Sequence, residues 1–163
     1  MTHEEDLIRK DRMRYTKNTL SANLVILAIL FNVLYFVSIY QSDVGTFYYQ
    51  ILIGASIIYN LIFLLTAFLA SESVKSRKNG FTGILLGMGV MQIVRMFVLP
   101  ARAHNTVVTI NSVEIPVMGD AQYTRLLVYL ALSAACCIAA AVTSYLQNRT
   151  LAQYLQSLEN TPA

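Results

Sequence analysis

Four stretches of the chain are continuously apolar, over residues 20–40, 48–70, 81–99 and 124–146, and polar or charged residues separate them. Blocks such as LVILAILF and IIYNLIFLL do not alternate between polar and apolar positions. A half-buried strand needs that alternation, and so does a membrane-spanning strand of about ten residues. Each stretch holds roughly 19 to 23 residues, or about 28 to 35 Å of α-helix, and the hydrocarbon core of a bilayer is about 30 Å thick. The pattern predicts an all-α integral membrane protein with a four-transmembrane-helix bundle over 19–147. A basic amphipathic segment over 1–18 precedes the bundle, and a helix and tail over 148–163 follow it.

Composition supports lipid as the solvent. Of 163 residues, 56% are hydrophobic and 13% charged, whereas soluble domains average about half and about a quarter. Mean hydropathy is +0.53. With four crossings, little chain remains for a separate soluble domain.

The basic residues predict orientation. Arg9, Lys10, Arg12, Arg14 and Lys17 precede the first stretch, Lys75, Arg77 and Lys78 lie between the second and third, and Arg149 follows the fourth. All of them fall on one side of a four-crossing topology, with Arg102 and Arg125 on the other. The positive-inside rule then places both termini in the cytoplasm. Aromatic residues agree: Tyr40, Phe47, Tyr48 and Tyr49 stand at the outer interface, and Tyr15, Phe81 and Tyr145 at the inner one. The first stretch is too long for a cleavable signal, and Tyr35, Phe36 and Tyr40 replace the small residues of a cleavage site. Simple topology and short loops fit a bacterial plasma membrane.

Outside the spans, Thr2 and Glu5 have capping-box spacing, which predicts a short interfacial helix. Its charges either enforce topology or contact anionic lipid headgroups or a partner. Residues 71–80 read as a polar cytoplasmic loop closed by the turn signal Asn79-Gly80. In the outer loop 100–123, the β-branched runs 106–110 and 113–117 flank Asn111-Ser112 and predict a small extracytoplasmic β-hairpin, with Pro116 at a strand end. Thr106, Val108, Ile110, Val113 and Ile115 are candidate partner contacts there. After the fourth stretch, Leu151, Leu155 and Leu158 recur at helical spacing. This stripe either packs on the N-terminal helix or docks a partner.

The third stretch carries the strongest packing signal. Gly80, Gly83 and Gly87 share one helical face with Gly89 near it, and the fourth stretch offers Ala131, Ala134 and Ala135 as small counterparts. The two faces are expected to meet within the chain. Arg95 is the one formally charged residue in the interior of a span, Arg125 standing at the outer edge of the fourth, and a central arginine costs upward of about 2.5 kcal/mol. It lies close enough to Pro100 to snorkel to the headgroups, which is the favoured reading. The alternative is a polar path formed by Arg95, Gln92 and Asn60. Asn23, Asn32, Asn60 and Gln92 are expected to act as interhelical hydrogen-bonding groups.

Little else points to chemistry. No Asp or Glu lies in any span, so the carboxylate on which small four-helix multidrug antiporters rely is missing. Adjacent Cys136 and Cys137 match no redox or zinc spacing. His3 and His104 fall on opposite sides of the membrane. The Asn-x-Thr match at Asn148 is cytoplasmic. No nucleophile elbow, phosphate loop or zinc motif is present. The sequence therefore predicts neither an enzyme nor a cofactor, metal or nucleic-acid binder. Its expected partners are the bilayer and other membrane subunits or copies of itself. The leading expectation is a non-catalytic accessory subunit of a larger membrane complex such as a transporter, with a homo-oligomeric channel or carrier as the alternative.

Overall fold

The computed structural model describes residues 17–39, 47–78, 80–110 and 113–159. Helix α1 spans Thr19–Ile39, α2 Phe47–Lys75, α3 Gly80–Val98 and α4 Pro100–His104. Strands β1, Val107–Ile110, and β2, Val113–Pro116, follow, and the chain ends in α5, Asp120–Glu159. Four of these helices are long and apolar enough to cross a membrane. The expected amphipathic segment over 1–18 lies almost wholly outside the described residues.

The distribution of side-chain size suits a lipid environment. Leu30, Ile58, Leu61, Leu65, Phe68 and Phe97 are exposed, while the interior is rich in Ala28, Ala67, Ala70, Cys137 and Ala140. In water the large apolar groups would be inside. In lipid, close approach of small residues and dispersion contacts hold helices together, and outward leucines carry no penalty. The most extensive packing is of α1 on α5, followed by α3 on α5 and α2 on α1.

Hydrogen bonds align the helix ends. Asn18 caps α1 by accepting from the Ser21 N–H at 3.0 Å, and its own N–H donates to the Lys75 carbonyl at the end of α2, at 3.1 Å. Ser21 and Thr143 share a hydroxyl bond of 2.7 Å, Thr82 and Ser144 one of 3.0 Å, and Arg77 Nη1 donates to the Gln147 carbonyl at 3.0 Å. The start of α1, the end of α2, the start of α3 and residues 143–147 of α5 therefore share one end of the bundle. Lys75, Arg77 and Lys78 are at this end, and Lys17 and Arg149 flank it.

At the other end, Gln122 Nε2 donates to the Ser38 carbonyl at 2.9 Å, and His104 meets Asp120 at 2.8 Å. Strands β1 and β2 pair antiparallel, Val107 opposite Pro116 and Ile110 opposite Val113. Pro116 thus sits at the strand end, where a missing N–H does no harm. Met118, just after the strands, is buried in a cluster with Tyr35, Leu99, Leu126 and Leu130.

Two boundaries differ from the sequence pattern. Ser71–Lys75 is helical rather than loop, because Ala70 and Val74 pack in the core and Ser71 Oγ donates to the Ala22 carbonyl at 3.3 Å. The backbone reverses through Arg77, whose φ is +59°, and Gly80 already belongs to α3. Pro100 opens the short helix α4, which fixed φ and a missing N–H at its first position favour. As the helical spacing of Leu151, Leu155 and Leu158 predicts, the fourth stretch continues without a break, as one helix to Glu159.

Candidate functional site

Each spanning helix places polar residues on its inward stripe. In α1 the buried positions include Val25, Ala28, Asn32 and Tyr35, and in α3 they are Leu85, Gly89, Gln92 and Arg95. Ser56 and Asn60 of α2 and Ser133 of α5 are buried too. Spacings of three and four residues keep these groups on one helix face, so side chains at the same depth meet in the bundle interior.

Arg95 is the centre of that meeting and is only 8% exposed. Its Nη1 donates to Asn60 Oδ1 at 2.7 Å and to Asn32 Oδ1 at 3.2 Å. Its Nη2 donates to Ser56 Oγ at 2.8 Å. The rings of Tyr35 and Tyr59 flank the guanidinium, their centroids 4.3 and 4.7 Å from Cζ. Gln92 Nε2 extends the cluster, donating to Asn32 Oδ1 at 3.0 Å and Ser133 Oγ at 3.3 Å. Ser133 Oγ in turn donates to the Ala28 carbonyl at 3.0 Å, and Asn32 Nδ2 donates to Asn60 Oδ1 at 3.2 Å. One polar cluster thus joins all four spanning helices.

The snorkelling expected of Arg95 is therefore corrected. The side chain turns inward, where three acceptor oxygens and two aromatic faces replace water around its charge. Arg95, Gln92 and Asn60 do come together, within one chain. Asn23 is exposed and lies apart from the cluster. Asn60 Nδ2 and Gln92 Oε1 find no hydrogen-bond partner among the described residues. Ser56, Tyr59 and Arg95 also border a cavity of about 280 Å³ between α2 and α3, otherwise lined by apolar groups such as Met91, Val94 and Leu99. Chemically, the cluster can brace helices or bind an anion, since it presents N–H donors and a fixed positive charge.

The expected glycine face is also corrected. A Cβ placed on Gly80, Gly83 or Gly87 meets nothing within 4 Å, whereas one on Gly89 lies 2.7 Å from Ile138 Cγ1 and 3.3 Å from the Ala134 carbonyl oxygen. Gly89 is two residues beyond Gly87, about 200° around the helix, so it belongs to the opposite face, with Leu85 and Gln92. Ala134 is buried at this contact, while Ala131 and Ala135 are exposed.

Of the candidate partner contacts, Val113 and Leu155 are exposed, and Thr106 and Leu151 half-buried. Thr106 Oγ1 donates to the Arg102 carbonyl at 2.7 Å. The side chains of Val108, Ile110, Ile115 and Leu158 lie outside the described residues. Cys137 belongs to the core and Cys136 packs at its edge, and no group of three metal-ligating side chains occurs among the described residues.

Sequence reasoning named Asn32, Asn60, Gln92 and Arg95 but missed Ser56, Tyr35 and Tyr59 as partners of the guanidinium. The usable signal was spacing: Tyr35 follows Asn32 by three residues and Asn60 follows Ser56 by four. Comparison with known proteins gives no match: no family model, curated protein or solved structure matches this chain.

Proposed function

We propose that the protein is a non-catalytic integral membrane subunit that packs against and stabilises or regulates a larger membrane complex such as a transporter. The observation that carries this reading is the length of α5. Gln147 is level with the turn between α2 and α3, where it accepts the Arg77 bond, yet α5 continues to Glu159. Those twelve residues reach about 18 Å past the bundle end, and Leu155 is exposed on them. An apolar stripe on a projecting helix is a surface suited to a partner. The paired strands at the opposite end, with Val107 and Val113 exposed, form a second contact. In this reading the basic end faces the cytoplasm of a bacterial plasma membrane and the paired strands lie outside.

Purification of the full chain under mild detergent, with the particle mass measured, tests the proposal. A stoichiometric foreign subunit, lost when residues 151–163 are removed, supports it. A lone chain or a symmetric self-oligomer overturns it.

The cavity beside Arg95 favours a second reading, a small anion carrier or channel. Liposome flux separates the two. Under the carrier reading Arg95→Met abolishes anion flux, and an unchanged flux removes Arg95 from any transport role.

A further inference from the structure

We propose that the groove between α3 and α5 at the basic end of the bundle holds one anionic phospholipid. An acyl chain would run along Gly83, Leu86 and Val142, with the phosphate beside Arg149. The inference depends on the four helices lying in a bilayer and is independent of any protein partner.

The groove has a volume of about 780 Å³ and is lined by Thr82, Gly83, Leu86, Val142, Tyr145 and Arg149, among others. That volume is within the range of small-molecule sites, about 300 to 1,000 Å³. Its chemistry changes along its length as a lipid's does. Val142 and Arg149 are seven residues apart on one helix, about 10 Å, with Tyr145 between them. This order runs from hydrocarbon through an interfacial aromatic to a cation at headgroup depth. The deep part is smooth and apolar because Gly83 has no side chain, and the space where a Cβ would stand is empty. Thr82 and Ser144 bond to each other, so their hydroxyls make no demand on a hydrocarbon chain.

Charge selects the headgroup. Arg149 forms no ion pair among the described residues, where the only acidic contact at this end is Glu72 with Lys75 at 3.8 Å. The Arg77 guanidinium is fixed at the Gln147 carbonyl, two residues before Arg149, and Lys78 lies in the same turn. A guanidinium donates two parallel hydrogen bonds to phosphate, and a basic cluster of this kind attracts the anionic lipids of the cytoplasmic leaflet. A transmembrane helix of another protein would fill the apolar half of the groove but would leave the cation at its mouth unanswered.

Native mass spectrometry of the purified full chain, equilibrated with phosphatidylglycerol or with phosphatidylcholine of identical acyl chains, tests this. The wild type is expected to retain phosphatidylglycerol over phosphatidylcholine by roughly five-fold, the effect of one basic residue at an anionic surface. Arg149→Gln should remove that preference, Gly83→Leu should reduce retention of both lipids, and Arg125→Gln at the opposite end should change neither. Equal retention of the two lipids by the wild type overturns the proposal, as does a preference that survives Arg149→Gln. A Gly83→Leu chain that loses a bound protein while keeping its lipid also overturns it, since the groove then holds a helix. If Gly83→Leu fails to fold, Arg149→Gln on the exposed helix surface decides alone. Equal retention of the two lipids by a wild-type chain that keeps its partner complex defeats this inference and leaves the subunit reading standing.

Discussion

Replacing Asn60 with leucine isolates the strongest contact in the buried cluster. Asn60 is 1% exposed, and leucine keeps its γ-branched outline, with two bulkier methyls in place of the amide, but cannot accept a hydrogen bond. The substitution removes the acceptor of the 2.7 Å bond from Arg95 and of the 3.2 Å bond from Asn32. A hydrogen bond to a charged group contributes about 1.5 to 3 kcal/mol, and a neutral interhelical one about 0.6 kcal/mol. Set against these losses is the Asn60 Nδ2 group, which has no partner among the described residues and whose removal relieves about 1 kcal/mol. The net destabilisation expected for Asn60→Leu is about 1 to 3 kcal/mol.

The sign of the coupling to Arg95 is the sharper part of this prediction. Arg95→Met deletes the buried charge yet leaves few acceptors stranded, because Asn60 Oδ1 still receives Asn32 Nδ2 and Asn32 Oδ1 still receives Gln92 Nε2. The double variant Asn60→Leu/Arg95→Met should therefore be more stable than the sum of the single losses predicts, by at least about 1 kcal/mol, because the charge left under-solvated by the first change is gone. Asn60→Asp, which keeps both acceptor roles and adds a counter-charge, should be no less stable than wild type. Reversible unfolding in mixed micelles measures all four free energies. Additivity within about 0.5 kcal/mol, or a neutral Asn60→Leu, would show that the cluster does not hold the charge.

Three further outcomes follow from other contacts. Gly89→Ala should destabilise the bundle by about 1 to 3 kcal/mol, because its new methyl overlaps Ile138 and approaches the Ala134 carbonyl. Gly87→Ala, with open space around the added methyl, should be neutral or stabilising by up to about 1 kcal/mol. The same unfolding assay compares them, and equal effects would refute the assignment of the α3–α5 contact to Gly89. Arg77→Gly should be more stable than Arg77→Ala by about 1 kcal/mol, since both lose the bond to Gln147 but only glycine relieves the positive φ. His104→Ala, despite losing the 2.8 Å contact to Asp120 and the stacking on Tyr123 at 4.4 Å, should cost less than about 1 kcal/mol, because Asp120 is almost fully exposed. A larger loss would mean that this pair locks the end of α5.

The four long apolar helices were legible because the length and unbroken apolar pattern needed to cross a membrane survive without any knowledge of packing. Which way each face points was not. In a helix such as α1, apolar on nearly every side, hydrophobic periodicity carries no direction, so the polar exceptions Ser21, Asn32 and Ser38 mark the interior. Tyr35 entered the sequence reading only as one of the aromatics that argue against a cleavage site, yet it is fully buried against Arg95. Arg95 read as snorkelling because the helix end is near. Distance to the headgroups is visible in a sequence, whereas the competing set of acceptors is assembled from α1 and α2 and exists only in the fold. Ser71 to Lys75 read as loop for a related reason: their polarity belongs to the interface, but Val74 and Ser71 still face α1 and continue the helix.

The cluster also accounts for the position of α2. It is the least buried of the four spans, it packs mainly on α1, and its contact with α3 is slight and interrupted by the cavity beside Arg95. Dispersion alone holds such a helix weakly in lipid, where outward and inward apolar surfaces are nearly equivalent. Arg95 reaches from α3 across that gap to both Ser56 and Asn60, one turn apart on α2, and directional bonds to a charge fix rotation and depth as apolar packing cannot. The burial of an arginine, unfavourable taken alone, is thereby offset by the placement of a helix that has little other hold on the bundle. Loosening the cluster at Asn60 should accordingly free α2 before it disturbs the α1–α5 pair. Hydrogen exchange would then rise first in Ile53–Lys75 and only later in the Ala-rich middle of α5.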